Sequence, residues 1–203
     1  MKSLEKFSTI FLIAGLGFFF VAFFFLGIWP AQMTESFPDE NMPQDVPTDF
    51  KIYYKNVTEY HEALRSGRDS YISDGCWHCH SQYVRPISNE ALYYGNVSTP
   101  MEYENELNLP QLFGTRRVGP DLTRVGGKRT NDWHFAHLYN PKNVEPHSIM
   151  PVYSWYFDES TSPPTPTKRG VALVAYIQQL GHWVRDVKRD SFDLNEITMP
   201  PGE

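Results

Sequence analysis

Cys76-Trp77-His78-Cys79-His80 decides how this chain is read. Two thiols three positions apart, with a histidine directly after the second, form the attachment pattern of a c-type haem. The thiols are placed to add to the haem vinyl groups, and His80 to bind the iron from one side. Cys76 and Cys79 are the only cysteines in the chain. No thiol is left for a disulfide or a four-cysteine metal site. A thioredoxin-like dithiol should sit near a βαβ pattern, and none surrounds this motif. A structural zinc takes four ligands, often from two paired clusters, and no second compact pair exists here.

Working outward, the chain has 203 residues, a net charge of −6 and 15% aromatic residues. The acidic balance and the lack of a basic stripe argue against a nucleic-acid partner. From Phe7 to Trp29 there are 23 residues without a charge, eight of them phenylalanine. That exceeds the roughly 20 residues needed to cross a bilayer. A secretory leader would have a shorter apolar stretch and a small-residue cleavage site, so an uncleaved lipid-embedded anchor is expected over 7–29. Lys2 and Lys6 precede it, whereas Glu35, Asp39 and Glu40 follow. The positive-inside rule then puts residues 1–6 in the cytoplasm and the remainder outside, in the periplasm for a bacterial inner membrane. Gly15, Gly17 and Gly27 offer a surface for close helix packing.

Residues 30–57, with Pro30, Pro38, Pro43 and Pro47 among acids and amides, read as a linker or strap rather than a helix. A soluble domain is expected over 58–185 and a polar tail over 186–203. Residues 58–75 read as a helix capped by Thr58, with Gly67 weakening its middle. Residues 83–118 are broken repeatedly by Ser, Asn, Pro and Gly and read as a long surface excursion. A short helix is expected over 130–139, capped by Thr130 or Asn131 and ended by Pro141. Residues 161–167 read as a loop. Residues 168–181 carry the clearest helical period, with Gly181 as the stop. The expected architecture is mainly α: one transmembrane helix and a small helical domain with long loops, holding one haem.

An electron-carrying haem usually takes a second axial ligand, and a methionine thioether raises the potential. Met101 and Met150 are the candidates outside the start, linker and tail, and Met150 lies between the last two helices, closed by Pro151. His147 competes with it. Gly119-Pro120-Asp121-Leu122 offers a proline carbonyl to the second ring nitrogen of His80. The haem propionates need cations or several hydrogen bonds. Arg116, Arg117, Arg124, Lys128 and Arg129 flank that turn and Arg85 follows the haem motif, with Arg85 and Arg124 favoured. Trp133 and Tyr139 line the haem pocket or fill the core. His61, His134, His137 and His182 read as surface or satisfied core residues.

The anchor, GRDSYISDGCWHCHSQYVRP (67–86), GTRRVGPDLTRVGGKRTNDWH (114–134) and NPKNVEPHSIMP (140–151) together resemble the mono-haem subunit II of cbb3-type cytochrome c oxidases. The resemblance covers nearly the full length, and LVAYIQQLG (173–181) is similar to that family's last helix. It implies a class I cytochrome c-like domain with one covalently bound haem c. It implies that Met150 is the distal ligand and Pro120 the carbonyl partner of His80. It also implies a fixed subunit that passes electrons from a di-haem c-type cytochrome subunit to a catalytic haem–copper oxidase subunit, where oxygen is reduced. Segment 86–112 and the acidic linker are not matched as specifically.

Other functions are separable. The cytochrome subunit of nitric oxide reductase is also anchored and mono-haem, but the 81–118 excursion and GCWHCHSQ favour the oxidase. A free anchored shuttle should have a longer linker and a smaller domain. A haem sensor or peroxidase would need an open sixth position, against which Met150 counts. Nothing in the chain could itself build a haem–copper site, so catalytic residues are not expected.

Overall fold

A computed structural model describes residues 2–34, 42–87, 89–103, 105–114 and 116–181. The chain divides into two compact units, Met1–Asp39 and Glu40–Glu203. The expected tail 186–203 and most of the acidic stretch of the linker lie outside the described residues.

The first unit is one helical run: α1 (Lys2–Phe23), a π turn (Phe24–Ile28) and α2 (Trp29–Thr34). The apolar part, Phe7–Met33, is 27 residues long. At about 1.5 Å per residue it spans about 40 Å, more than the roughly 30 Å hydrocarbon layer. The helix therefore continues past Pro30, where the sequence suggested a strap. Proline has no N–H and its ring crowds the carbonyl four residues back. The π turn widens the ladder just ahead of it, and the Trp29 N–H reaches the Phe24 carbonyl five residues away.

The second unit is built on α3 (Val57–Ser73) and α7 (Lys168–Gln179). Asn56, not Thr58, caps α3: its Oδ1 accepts the Glu59 N–H at 2.9 Å, and the Glu59 carboxylate accepts the Lys55 N–H at 2.9 Å. This reciprocal pair satisfies the open N–H groups of the first turn. The helices cross at Gly67. A Cβ there would stand 2.1 Å from the Ala172 carbonyl oxygen and 2.8 Å from the Tyr176 Cβ. The residue that weakens α3 in isolation is thus the one that lets the backbones touch. Around the crossing, Leu64, Tyr71, Leu173, Val174 and Tyr176 are buried, and the Tyr71 and Tyr176 rings meet edge-on at 5.6 Å.

Residues 42–56 pack onto this core. Met42, Val46 and Phe50 are 4%, 9% and 2% exposed, Phe50 lies 5.9 Å from the Tyr60 ring, and His61 Nε2–H donates to the Pro43 carbonyl at 2.8 Å. α4 (Cys76–Cys79) follows α3 directly, and α5 (Glu90–Tyr94) lies in the irregular segment. α6 (Asn131–Tyr139) is capped by Thr130, whose hydroxyl accepts the Trp133 N–H at 3.2 Å. A short hairpin pairs β1 (Phe157–Asp158) with β2 (Thr165–Pro166), antiparallel, and β2 falls within the expected 161–167 loop.

Segment 83–118 is not a surface excursion. It folds around two buried carboxylates, Glu90 at 7% and Glu102 at 6% exposure. Glu102 receives Arg124 through Nε at 2.8 Å and Nη2 at 2.6 Å, and Arg124 Nη1 also donates to the Asn96 carbonyl at 2.7 Å. Glu90 binds both Arg85 and Arg117. Arg117 further donates to Asp121 at 2.9 Å and to the Tyr83 carbonyl at 2.8 Å. Buried ions hold a segment in place when their charges are paired and their donors filled, and both conditions are met.

Candidate haem site

The site starts where α3 ends. Gly75 takes the left-handed conformation, φ +71°, and turns the chain into α4. In this single turn Cys76 and Cys79 stand three residues apart, so their thiols leave the helix on the same side. Both are free and half-buried. Asp74 holds the entry to the turn: it accepts from the Tyr156 hydroxyl, from Trp155 Nε1 at 3.4 Å and from Arg169 Nη2 at 3.3 Å. The far end is held by the Tyr71 hydroxyl, which donates to the His80 carbonyl at 2.6 Å.

His80 is oriented by the 119–122 segment. Its Nδ1 lies 2.9 Å from the Pro120 carbonyl oxygen. An Nδ1–H donated there leaves Nε2 as the bare lone pair, the form that binds a metal. Burial pushes the imidazole below its usual pKa, against the opposing pull of Pro120 and Asp121, so the ring is neutral at neutral pH. Gly119 lies flat against it: a Cβ there would be 2.3 Å from His80 Cε1. The Gly119 N–H donates to the Cys79 carbonyl at 3.0 Å and the Leu122 N–H to the Ser81 carbonyl at 2.9 Å. Asp121 fixes the same turn, accepting the Thr123 N–H at 2.8 Å and the Tyr83 N–H at 3.1 Å.

Met150 is half-buried and packs against the core, as do Cys76, Trp77, Leu122, Val125, Phe135, Tyr139 and Tyr153. Its neighbours Ile149, 79% exposed, and Pro151 turn outward, so Met150 is the inward residue of its loop. Ser148 accepts its N–H at 3.2 Å. His147 is exposed, and the Met101 side chain lies outside the described residues. Tyr153 was not singled out from the sequence. Burial, with Cys76 and Cys79 adding to it, pushes its phenol up to about 12. Burial also pushes the Cys76 thiol up to about 12, the opposite of the depressed value a redox dithiol needs.

Of the remaining sequence candidates, Trp133 is half-buried and stacks on His137 at 4.7 Å and 13°, with the Arg129 guanidinium 5.1 Å from its ring centre. Arg85 and Arg124 are engaged by Glu90 and Glu102. Those carboxylates were invisible to the sequence reading because a hydropathy pattern ranks them as surface.

The donor set fits a haem: two thiols on one side of a turn, a neutral imidazole with its outer nitrogen free, and a thioether facing inward beside the same apolar residues. The chain matches the family described as cytochrome c oxidase, mono-heme subunit/FixO over residues 12–169. That stretch takes in the apolar helix from Leu12, the Cys76–His80 turn, Pro120 and Met150. Comparison with the curated proteins gives no match. The matched span covers well over half of the chain, which therefore belongs to the FixO family of mono-haem cytochrome c oxidase subunits.

Proposed function

We propose that this chain is the electron-relay subunit of a terminal oxidase, with one haem c held covalently by Cys76 and Cys79 and bound axially by His80 and Met150. The observation that carries the reading is the 2.9 Å contact from His80 Nδ1 to the Pro120 carbonyl, which directs Nε2 to a metal and keeps it there. The haem supplies one-electron redox chemistry. The chain's own residues hold it rigidly, so that little structure changes with oxidation state. Gly119 lets the turn sit against the His80 ring, Asp121 and Arg117 fix that turn, and Met150 closes the side where a sixth ligand would enter. Such a centre passes electrons and does not bind substrate.

In this proposal electrons arrive from a di-haem c-type cytochrome subunit and leave for the haem b of the haem–copper subunit that reduces oxygen. The apolar helix Phe7–Met33 anchors the chain in the inner membrane, with Lys2 and Lys6 on the cytoplasmic side and the Cys76–His80 turn in the periplasm. Purification in mild detergent, followed by haem and metal analysis, tests it. The chain should co-purify with b-type haem and copper. Co-purification with non-haem iron in place of copper would make it a nitric oxide reductase subunit, and elution alone would make it a free shuttle.

A further inference from the structure

Helix α6 carries two imidazoles that the site described above does not use. His134 is 5% exposed and its Nε2 has no hydrogen-bond partner; His137 is half-buried and its Nδ1 has none either. At positions i and i+3 they share the inward face with Leu138, which is 4% exposed. Both were expected to be surface or satisfied core residues, and they are neither. A satisfied histidine in this fold looks like His61, 2.8 Å from the Pro43 carbonyl. A buried polar nitrogen left without a partner is destabilising. An orphan of this kind therefore points to a group that arrives from outside the polypeptide.

Helix α6 borders the candidate site: the Leu138 carbonyl accepts the Tyr153 N–H at 3.0 Å, three residues after Met150, and Phe135 and Tyr139 pack against the same core cluster as Cys76 and Met150. His137 directly precedes Leu138 on this helix. Its ring is stacked on Trp133, which the Arg129 guanidinium approaches from 5.1 Å. Burial keeps the imidazole below its usual pKa, so it carries one N–H and no charge at neutral pH. A haem carries two propionates that need donors once covered by protein. Of the cations that the sequence offered for them, the two favoured ones, Arg85 and Arg124, are bound to Glu90 and Glu102.

Resting on the haem reading above, we propose that His137 donates its Nδ1–H to a haem propionate and positions the cofactor, with Trp133 holding the ring in plane. The donor is neutral and braced by an aromatic surface, so it orders the carboxylate without a mobile counter-charge. It is a positioning residue and not an iron ligand.

The test uses the full chain with its haem, in the oxidase complex. Resonance Raman of the native protein should show a propionate bending band that moves in deuterated buffer. In His137→Phe that band should shift and lose its deuterium sensitivity, and the reduction potential of this haem should fall, because the propionate regains its full negative charge. His137→Gln, which keeps an N–H donor, should retain most of both properties. His134→Gln should leave the band where it is. A propionate band unmoved in His137→Phe, with haem still attached, overturns the inference and leaves the relay proposal standing. A native chain with no attached haem overturns both. Should His137→Phe fail to fold, a native band insensitive to deuterium refutes the inference without any variant. A His137 variant that changes the axial ligand spectrum also refutes it.

Discussion

Glu90→Gln removes the carboxylate that organises the segment after the haem turn. Glu90 is 7% exposed, and the side chains of its partners Arg117 and Arg85 are 17% and 30% exposed. The two hydrogen-bonding arginines, Arg117 foremost, overcome burial and hold the Glu90 carboxyl down to about 2 from 4.5. A shift of that size corresponds to about 3 kcal/mol of stability at neutral pH. Removing one partner of a buried ion pair gives an independent figure of about 3–5 kcal/mol. The lower end applies here, because Arg117 keeps Asp121 and the Tyr83 carbonyl and Arg85 can turn to water. For a chain of this length each kcal/mol moves the midpoint by about 2–4 °C, so the variant should melt about 6–12 °C lower at pH 7. The assay is thermal unfolding of the haem-loaded chain in detergent, followed at several pH values. The folded pKa lies below the unfolded one, so the contribution is complete above about pH 4.5 and is lost as pH falls toward 2. Native protein and variant should therefore converge over that window. A midpoint difference under about 2 °C at pH 7, or one that persists undiminished near pH 2, refutes the reasoning.

Other changes probe other contacts. Gly119→Ala puts a methyl 2.3 Å from His80 Cε1 and should displace the ring from the Pro120 carbonyl; the low-spin ferric spectrum should be partly replaced by a high-spin one, with the fold retained by circular dichroism. Gly67→Ala meets the Ala172 carbonyl at 2.1 Å; overpacking of this kind costs about 1–3 kcal/mol, read as a lower melting midpoint, even though alanine is the better helix former. Asn56→Ala removes the cap on α3 and should cost about 1 kcal/mol, measured by denaturant unfolding.

What was legible in the sequence is what local spacing encodes. The Cys76–His80 turn shows itself because one cofactor must meet three side chains within five residues. Helix 131–139 shows itself through its cap and the proline that follows it, and helix 168–179 through its apolar period and the glycine stop. The contacts that cross the chain were harder. Gly67 looked like a weak point, since its partner Ala172 is more than a hundred residues away. Thr58 was read as the cap, two residues past Asn56, because the helix edge was placed slightly late. Pro30 suggested the end of the anchor, while the backbone absorbs it with a π turn. Segment 83–118 has no apolar period, because the ion-paired Glu90 and Glu102 are buried among its inward residues beside Val84, Tyr103, Leu107 and Leu112. Those same acids engage Arg85 and Arg124, the two cations the sequence reading favoured for the propionates. The orphan nitrogens of His134 and His137 have no sequence signature at all.

The central claim is that His80 and Met150 together close the iron to everything but electrons. A carbon monoxide difference spectrum of the reduced haem bound at Cys76 and Cys79 tests it most directly, in the native chain and in Met150→Ala. The native haem should show no carbon monoxide band at neutral pH, and Met150→Ala should acquire one. A native haem that binds carbon monoxide readily would contradict the assignment of Met150 and the relay role with it.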